Sequence, residues 1–216
     1  MKNDSDTQQA PPLYNSRIVN AYLQLVRKKY PDIDISELLA HAGINRYEIE
    51  DQGHWLSQPQ IDRFHERLTR ITGNKHLARD AGRYATLPES IGAIRYYVYS
   101  FSTPAKFYAM IGKTFANFSR TVRYRTRQIT SNKVEITVTP RPGIIEKPYF
   151  CENRKGFFEA VLGIFNNRVT HIEHPECVFK GDSACRYIVS WSKTRGDYLR
   201  SIRNFSAILF VILGML

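Results

Sequence analysis

The chain has 216 residues and a formal net charge of +11, and is 43% hydrophobic, 12% aromatic and 24% charged. That mix excludes a disordered or collagen-like polymer and allows one substantial core with appendages. Three cysteines in all, behind a polar start (MKNDSDTQQAPP) without an apolar signal segment, exclude a disulfide-dense secreted scaffold and point to a reducing compartment.

Residues 1–12 read as a disordered tail. A helix is predicted over YNSRIVNAYLQLVRKKYP, where Ile18, Tyr22, Leu25 and Val26 recur at helical spacing and Pro31 ends the run. ISELLAHAG follows as a short helix, with Ser36 as the expected N-cap and Gly43 as the stop. SQPQIDRFHERLTRITG is a longer one, capped by Ser57 with Pro59 in its first turn, and Ile61, Phe64, Leu68 and Ile71 as its core stripe. His54 and His65 are read as surface or core residues rather than ligands. PESIGAIRYYVYSF and STPAKFYAMIGKTFANF are predicted as two further helices, the second starting at Ser102-Thr103-Pro104. Tyr97, Phe101, Phe107, Tyr108 and Phe115, with Phe150 further on, are candidates to line an apolar ligand pocket between these helices and the sheet that follows. The plain alternative for each is core packing.

SRTVRYRTRQIT and NKVEITVTP are predicted strands joined at Ser131-Asn132-Lys133. Alternation puts Arg123, Arg125 and Arg127 on one face of the first strand, with Val122, Tyr124 and Thr126 on the other. A solvated strand face accounts for these arginines more simply than a nucleic-acid surface does. In the second strand Val134, Ile136 and Val138 point inward. A helix follows over CENRKGFFEAVLGIF, from Cys151 to Phe165. Two more strands, VTHIEHPEC and ACRYIVSW, flank a turn at Lys180-Gly181-Asp182-Ser183. The fold class expected is α+β: a helical N-terminal part packed on a small antiparallel sheet, with a zinc-stapled C-terminal helix-hairpin.

The staple comes from the cysteines. With His174 they form Cys-x22-His-x2-Cys-x7-Cys, through Cys151, Cys177 and Cys185. Three thiolates and an imidazole make a closed tetrahedral set that suits Zn²⁺ and leaves no position open for a substrate. The competing account is a Cys177–Cys185 disulfide with one free thiol, which has no use for His174. At the other end of this region, a basic stretch (Lys193, Arg195, Arg200, Arg203) precedes the apolar run FSAILFVILGML. A bilayer span needs about 20 apolar residues, so the run is read as the first part of a transmembrane helix, against a buried helix or a peripheral anchor. The basic flank then places the domain on the cytoplasmic side of the inner membrane.

Around these residues, Cys151 and His174-Pro-Glu-Cys177-Val-Phe-Lys-Gly-Asp-Ser-Ala-Cys185-Arg-Tyr-Ile-Val-Ser-Trp191, the stretch 119–191 resembles the 4-vinyl-reductase-type domain. That domain is grouped with haem nitric-oxide-binding domains and trafficking-complex (TRAPP) subunits, and forms the effector-sensing part of phenol- and xylene-responsive regulators. The resemblance implies structural zinc at the four positions, His174 standing where those sensors commonly carry Glu; Glu173 and Glu176 are the neighbouring alternatives. The helical first part resembles the ligand-binding portion of arabinose-regulator-type transcription factors. Both pieces followed by a membrane segment resemble the N-terminal sensor regions of bacterial histidine kinases and nucleotide cyclases. No haem is expected, because haem sensors of the superfamily need a helix-borne proximal His and a Tyr-x-Ser-x-Arg clamp, and Tyr124-Arg125-Thr126-Arg127 misses that spacing.

The chain is thus expected to divide into a tail (1–12), a helical ligand-binding region (13–118), a zinc-stapled α+β region (119–192), a basic juxtamembrane segment (193–204) and the start of a membrane helix (205–216). Its expected function is sensing of a small hydrophobic or aromatic ligand, as a homodimer, with output through a domain beyond residue 216. A ligand-free dimerisation module, or the effector domain of a transcription regulator, is the alternative. An enzyme is disfavoured: the sequence has no Gly-rich nucleotide loop, no nucleophile–base set and no paired carboxylates at metal spacing.

Overall fold

The structure, a computed structural model, describes residues 10–86, 103–165 and 169–193. Its first element departs from the expected tail and helix: β1 (Pro12–Asn15) pairs antiparallel with β2 (Trp55–Ser57). The strand buries Tyr14 and places the Asn15 side chain to accept from Arg17 N–H, capping α1 (Ser16–Lys29). Arg27, Lys28 and Lys29 fill the last turn of α1, where the helix dipole favours cations.

The next helix, α2 (Ile35–Ala42), is capped by Asp34 and not by Ser36. One carboxylate oxygen of Asp34 accepts from the N–H groups of both Ser36 and Glu37, at 2.8 and 3.1 Å. A residue already inside the first turn cannot reach those donors. Gly43 ends α2 in the left-handed region at φ +68°. After α3 (Arg46–Glu50), α4 (Gln58–Thr72) starts as the sequence predicts, with Ser57 and Gln60 forming a capping box. Ile61, Phe64 and Leu68 are buried, but Ile71 is 41% exposed. Periodicity says which way a side chain points, not whether anything lies there to cover it.

Helix α5 (Leu77–Tyr84) completes the first core, and the predicted helix over residues 88–101 lies outside the described residues. The single helix expected over 102–118 is instead two short pieces, α6 (Pro104–Ala109) and α7 (Ile111–Phe115), broken at Met110. Thr103 caps α6, within the start that the sequence predicts. Beyond the break the chain presses on the sheet: a β-carbon on Gly112 would meet the carbonyl oxygen of Tyr124 at 3.1 Å.

The sheet is antiparallel throughout, in the order β3 (Val122–Thr130), β4 (Lys133–Pro140), β6 (Cys185–Trp191), β5 (Val169–Glu176). Val134, Ile136, Val138, Tyr187, Val189 and Trp191 form its buried face, covered by Phe158, Val161 and Leu162 of α8 (Tyr149–Ile164). The opposite face carries Arg123, Arg125 and Arg127 in the open, as alternation requires. Across it runs a ladder of ion pairs, Arg127–Glu135–Arg186–Glu176.

Two cores result, one among α1–α5 and one between α8 and the sheet. Consecutive residues of α8 belong to different cores, Phe150 to the first and Cys151 to the second. The α5–α8 crossing brings the two backbones into contact. A β-carbon on Gly82 would lie 2.9 Å from the backbone nitrogen of Phe157, and one on Gly156 would lie 2.8 Å from the carbonyl carbon of Arg79. Around the crossing, Glu159 accepts from Arg79 and Arg83.

Candidate metal centre

Helix α8 and the β5–β6 hairpin deliver four donor side chains to one place. Cys151 sits in the first turn of α8, His174 near the end of β5, Cys177 just past it, and Cys185 opens β6 opposite Val138. The intervening turn reverses through Gly181 at φ +100°, where a side chain would be strained. Its shape is held by Asp182, whose carboxylate accepts from Cys177 N–H at 2.7 Å, and by Lys180 N–H donating to the Cys177 carbonyl at 2.8 Å.

The sulfurs lie 3.7 Å (Cys151–Cys185), 4.0 Å (Cys151–Cys177) and 4.0 Å (Cys177–Cys185) apart. One donor atom from each of the four side chains lies within 4.8 Å of all the others. A tetrahedral ion with metal–sulfur bonds of about 2.3 Å has sulfur–sulfur edges of about 3.8 Å. Disulfide sulfurs are about 2.05 Å apart. All three cysteines are free and buried, which sets aside the Cys177–Cys185 disulfide. His174 stacks on Tyr187 at 4.2 Å between centroids, and its Nε2 is buried without a hydrogen-bond partner. The alternative ligands are engaged elsewhere, Glu173 with Lys133 and Glu176 with Arg186.

Electrostatics separate the thiols. The hydrogen bond from Cys151 pulls the Cys185 thiol well below its ordinary pKa against the cost of burial, with His174 and the Val178 N–H adding to the effect. That same bond and burial push Cys151 up. The two thiols are thus pushed in opposite directions, and the sulfur spacing suits a soft cation.

Beside this cluster is a cavity of about 50 Å³, walled by Phe115, Phe118, Phe150 and Phe157 and by a polar group centred on Arg154. Arg154 is 5% exposed and donates through Nη2 to both oxygens of Glu146, at 2.7 and 2.5 Å, and through Nε to the Tyr124 hydroxyl at 3.2 Å. Thr121 donates to the same carboxylate at 2.5 Å. Sequence reasoning missed this pair. The available signal was Arg154 itself, a charge between Cys151 and Phe158 on the face of the helix that points to the core. Of the predicted pocket residues, Phe115 and Phe150 line the cavity. Phe107 and Tyr108 are packed in the sheet core, Tyr108 donating to the Phe158 carbonyl at 2.7 Å. Tyr97 and Phe101 lie outside the described residues.

No protein-family model and no curated protein matches this chain. Solved structures do. An H-NOX protein from S. oneidensis in the Fe(II)NO state aligns over 83% of this chain and 99% of its own, at 12% identity and a TM-score of 0.66. An oxygen-binding H-NOX domain related to soluble guanylate cyclases aligns over 83% and 95%, at 13% identity and a TM-score of 0.65. The fold is that of an H-NOX domain. This corrects the expected 4-vinyl-reductase-type membership. At such identities the likeness establishes the architecture and leaves ligand and activity to the residues themselves.

The expected cofactor complement, zinc with no haem, is corrected by the same comparison. Matching structures are titled for haem redox potential and for haem distortion in the H-NOX family, so haem belongs to what this fold implies. The chain's own residues can be tested against it. Haem iron takes His, Cys, Met or Tyr as protein ligand, and the sequence has no histidine between His76 and His171. Among the described residues the cavity wall carries no His, Cys or Met, and the Tyr124 hydroxyl accepts from Arg154. A volume of about 50 Å³ also falls below that of pockets for drug-sized molecules. The described residues therefore do not fit a porphyrin. The apolar run 205–216 lies outside the described residues, among which no helix is long and apolar enough to cross a membrane.

Proposed function

We propose that this chain is a non-catalytic sensor module in which a metal ion held by Cys151, His174, Cys177 and Cys185 ties α8 to the β5–β6 hairpin. The observation that carries the metal site is the set of sulfur–sulfur distances, 3.7 to 4.0 Å, in a buried cluster with an unpartnered imidazole nitrogen. With all four positions filled by side chains, such an ion has no site for substrate and acts as a clamp. The sensor reading is supported by the shared fold with a domain titled as related to soluble guanylate cyclases. It is supported also by α8, which carries a cavity wall and a metal ligand one turn apart, at Arg154 and Cys151. Lys193, Arg195, Arg200 and Arg203 ahead of the apolar run support attachment of the module to a membrane surface.

Elemental analysis of the protein purified under reducing conditions, across the first-row transition metals, tests the site and identifies the element. The wild type is expected to hold about one ion per chain. Cys185→Ser and His174→Ala should each lower that content, with circular dichroism confirming the fold. A folded wild-type protein that holds no metal, with all three thiols open to a thiol reagent, would overturn the proposal.

A further inference from the structure

The cavity beside α8 has an uneven charge balance. Among the described residues, its wall includes two guanidinium groups, Arg17 and Arg154, and one carboxylate, Glu146. Arg154 and Glu146 satisfy one another. Arg17 is left over. Its Nη2 donates to Gln52 at 3.3 Å and its guanidinium lies 5.9 Å from the centre of the Phe118 ring. Its Nε is buried without a hydrogen-bond partner, and burial lowers its pKa. A buried donor left unmade is costly, and so is a cation held against apolar walls. Both costs are met by a ligand that brings one negative charge and accepts hydrogen bonds.

The rest of the wall sets the body of that ligand. Phe115, Phe118 and Phe157 surround the space, Phe115 and Phe157 meeting edge to face at 4.6 Å. The volume of about 50 Å³ is a third of that of a cavity that takes up benzene, about 150 Å³. An aromatic ring does not enter without displacing a side chain, whereas a tail of one or two carbons, about a third of benzene's six, does. We propose that this cavity binds a short-chain carboxylate, of about two or three carbons, with its acid group at Arg17 and its alkyl tail among the phenylalanines. The inference rests on the sensor reading and names its effector class. Arg154 and Phe157 of α8 line the cavity, so a ligand seated there acts on the helix that carries Cys151.

The test is ligand-observed NMR and thermal shift on the whole chain with sodium acetate, propionate, butyrate and benzoate at matched ionic strength. Propionamide and propanol serve as uncharged partners of the same shape. Acetate or propionate is expected to bind at least tenfold more tightly than propionamide, and butyrate and benzoate to bind more weakly than either acid. Arg17→Gln should weaken propionate binding about tenfold while Arg70→Gln, outside the cavity, leaves it unchanged. Equal binding of propionate and propionamide, or no binding of any acid, overturns the inference in the wild type, independently of how the variants fold. Metal content measured on the same samples separates this outcome from failure of the clamp.

Discussion

Replacing Gly156 by alanine puts a methyl carbon inside contact distance of the Arg79 carbonyl oxygen and 2.8 Å from its carbonyl carbon. Carbon–carbon contacts are normally about 3.5–4.0 Å, so α5 and α8 must part by about 1 Å. The obstacle is backbone on a helix, which cannot rotate away as a side chain can. Alanine gains about 1 kcal/mol over glycine from helix propensity, and overpacking of this kind costs about 1–3 kcal/mol or more. A backbone clash belongs at the upper end, so the net expectation is a loss of about 2 kcal/mol. For a chain of this size that lowers Tm by about 4–8 °C. Gly163, on the same helix, has open space where the added methyl would sit, with no atom within 4 Å, and Gly163→Ala is expected to be neutral or stabilising. Urea unfolding of the two variants beside the wild type is the assay. A Gly156→Ala protein as stable as the wild type would refute the close crossing and the coupling through α8 that depends on it.

Stability should also fall on acidification through His65. The imidazole stacks on Tyr149 at 3.8 Å, has a buried Nε2 without a partner, and is lowered by burial from 6.5 to about 4, with Asp62 opposing. Below pH 6.5 the unfolded chain therefore binds a proton that the folded chain refuses until about pH 4, and stability drops across that window. The loss should be about 2 kcal/mol by about pH 5, read as a shift in urea midpoint that His65→Leu abolishes. Glu146→Gln leaves the Arg154 charge buried without its counter-ion, and breaking a buried pair from one side costs about 3–5 kcal/mol; guanidinium melts would show it. With the proposed metal in place, a chelator at constant pH should lower Tm, by less than in isolated metal-binding peptides because the sheet keeps its own core.

Much of the four-residue cluster is legible in the sequence because its parts are local. Cys177, the turn at Gly181 and Cys185 lie on one hairpin, and His174 is close enough in sequence for β5 to deliver it to the same end. Alternation on β4 likewise names Val134, Ile136 and Val138 as inward, since a period of two depends only on the strand itself. The capping of α4 by Ser57 is readable for the same reason. Other features rest on partners far away in sequence. The exposure of Ile71, the break at Met110 and the strand at Pro12–Asn15 follow from what lies beside them and have no local pattern. The family expectation fails at the same step: a short match around His174–Trp191 does not specify a whole domain, and the arrangement of helices and sheet is that of H-NOX structures at 10–14% identity.

By itself the sequence named the four side chains that the structure gathers at Cys151, His174, Cys177 and Cys185, the two faces of β3 and β4, and the α+β character of the chain, because each depends on residue type and short-range period. Only the tertiary structure decided that Arg154 meets Glu146 inside an aromatic wall, that Arg17 joins them without a counter-charge, and that α5 and α8 touch backbone to backbone at Gly82 and Gly156. Those contacts join residues up to about 140 positions apart, and it is packing, not local preference, that selects which distant side chains share a site.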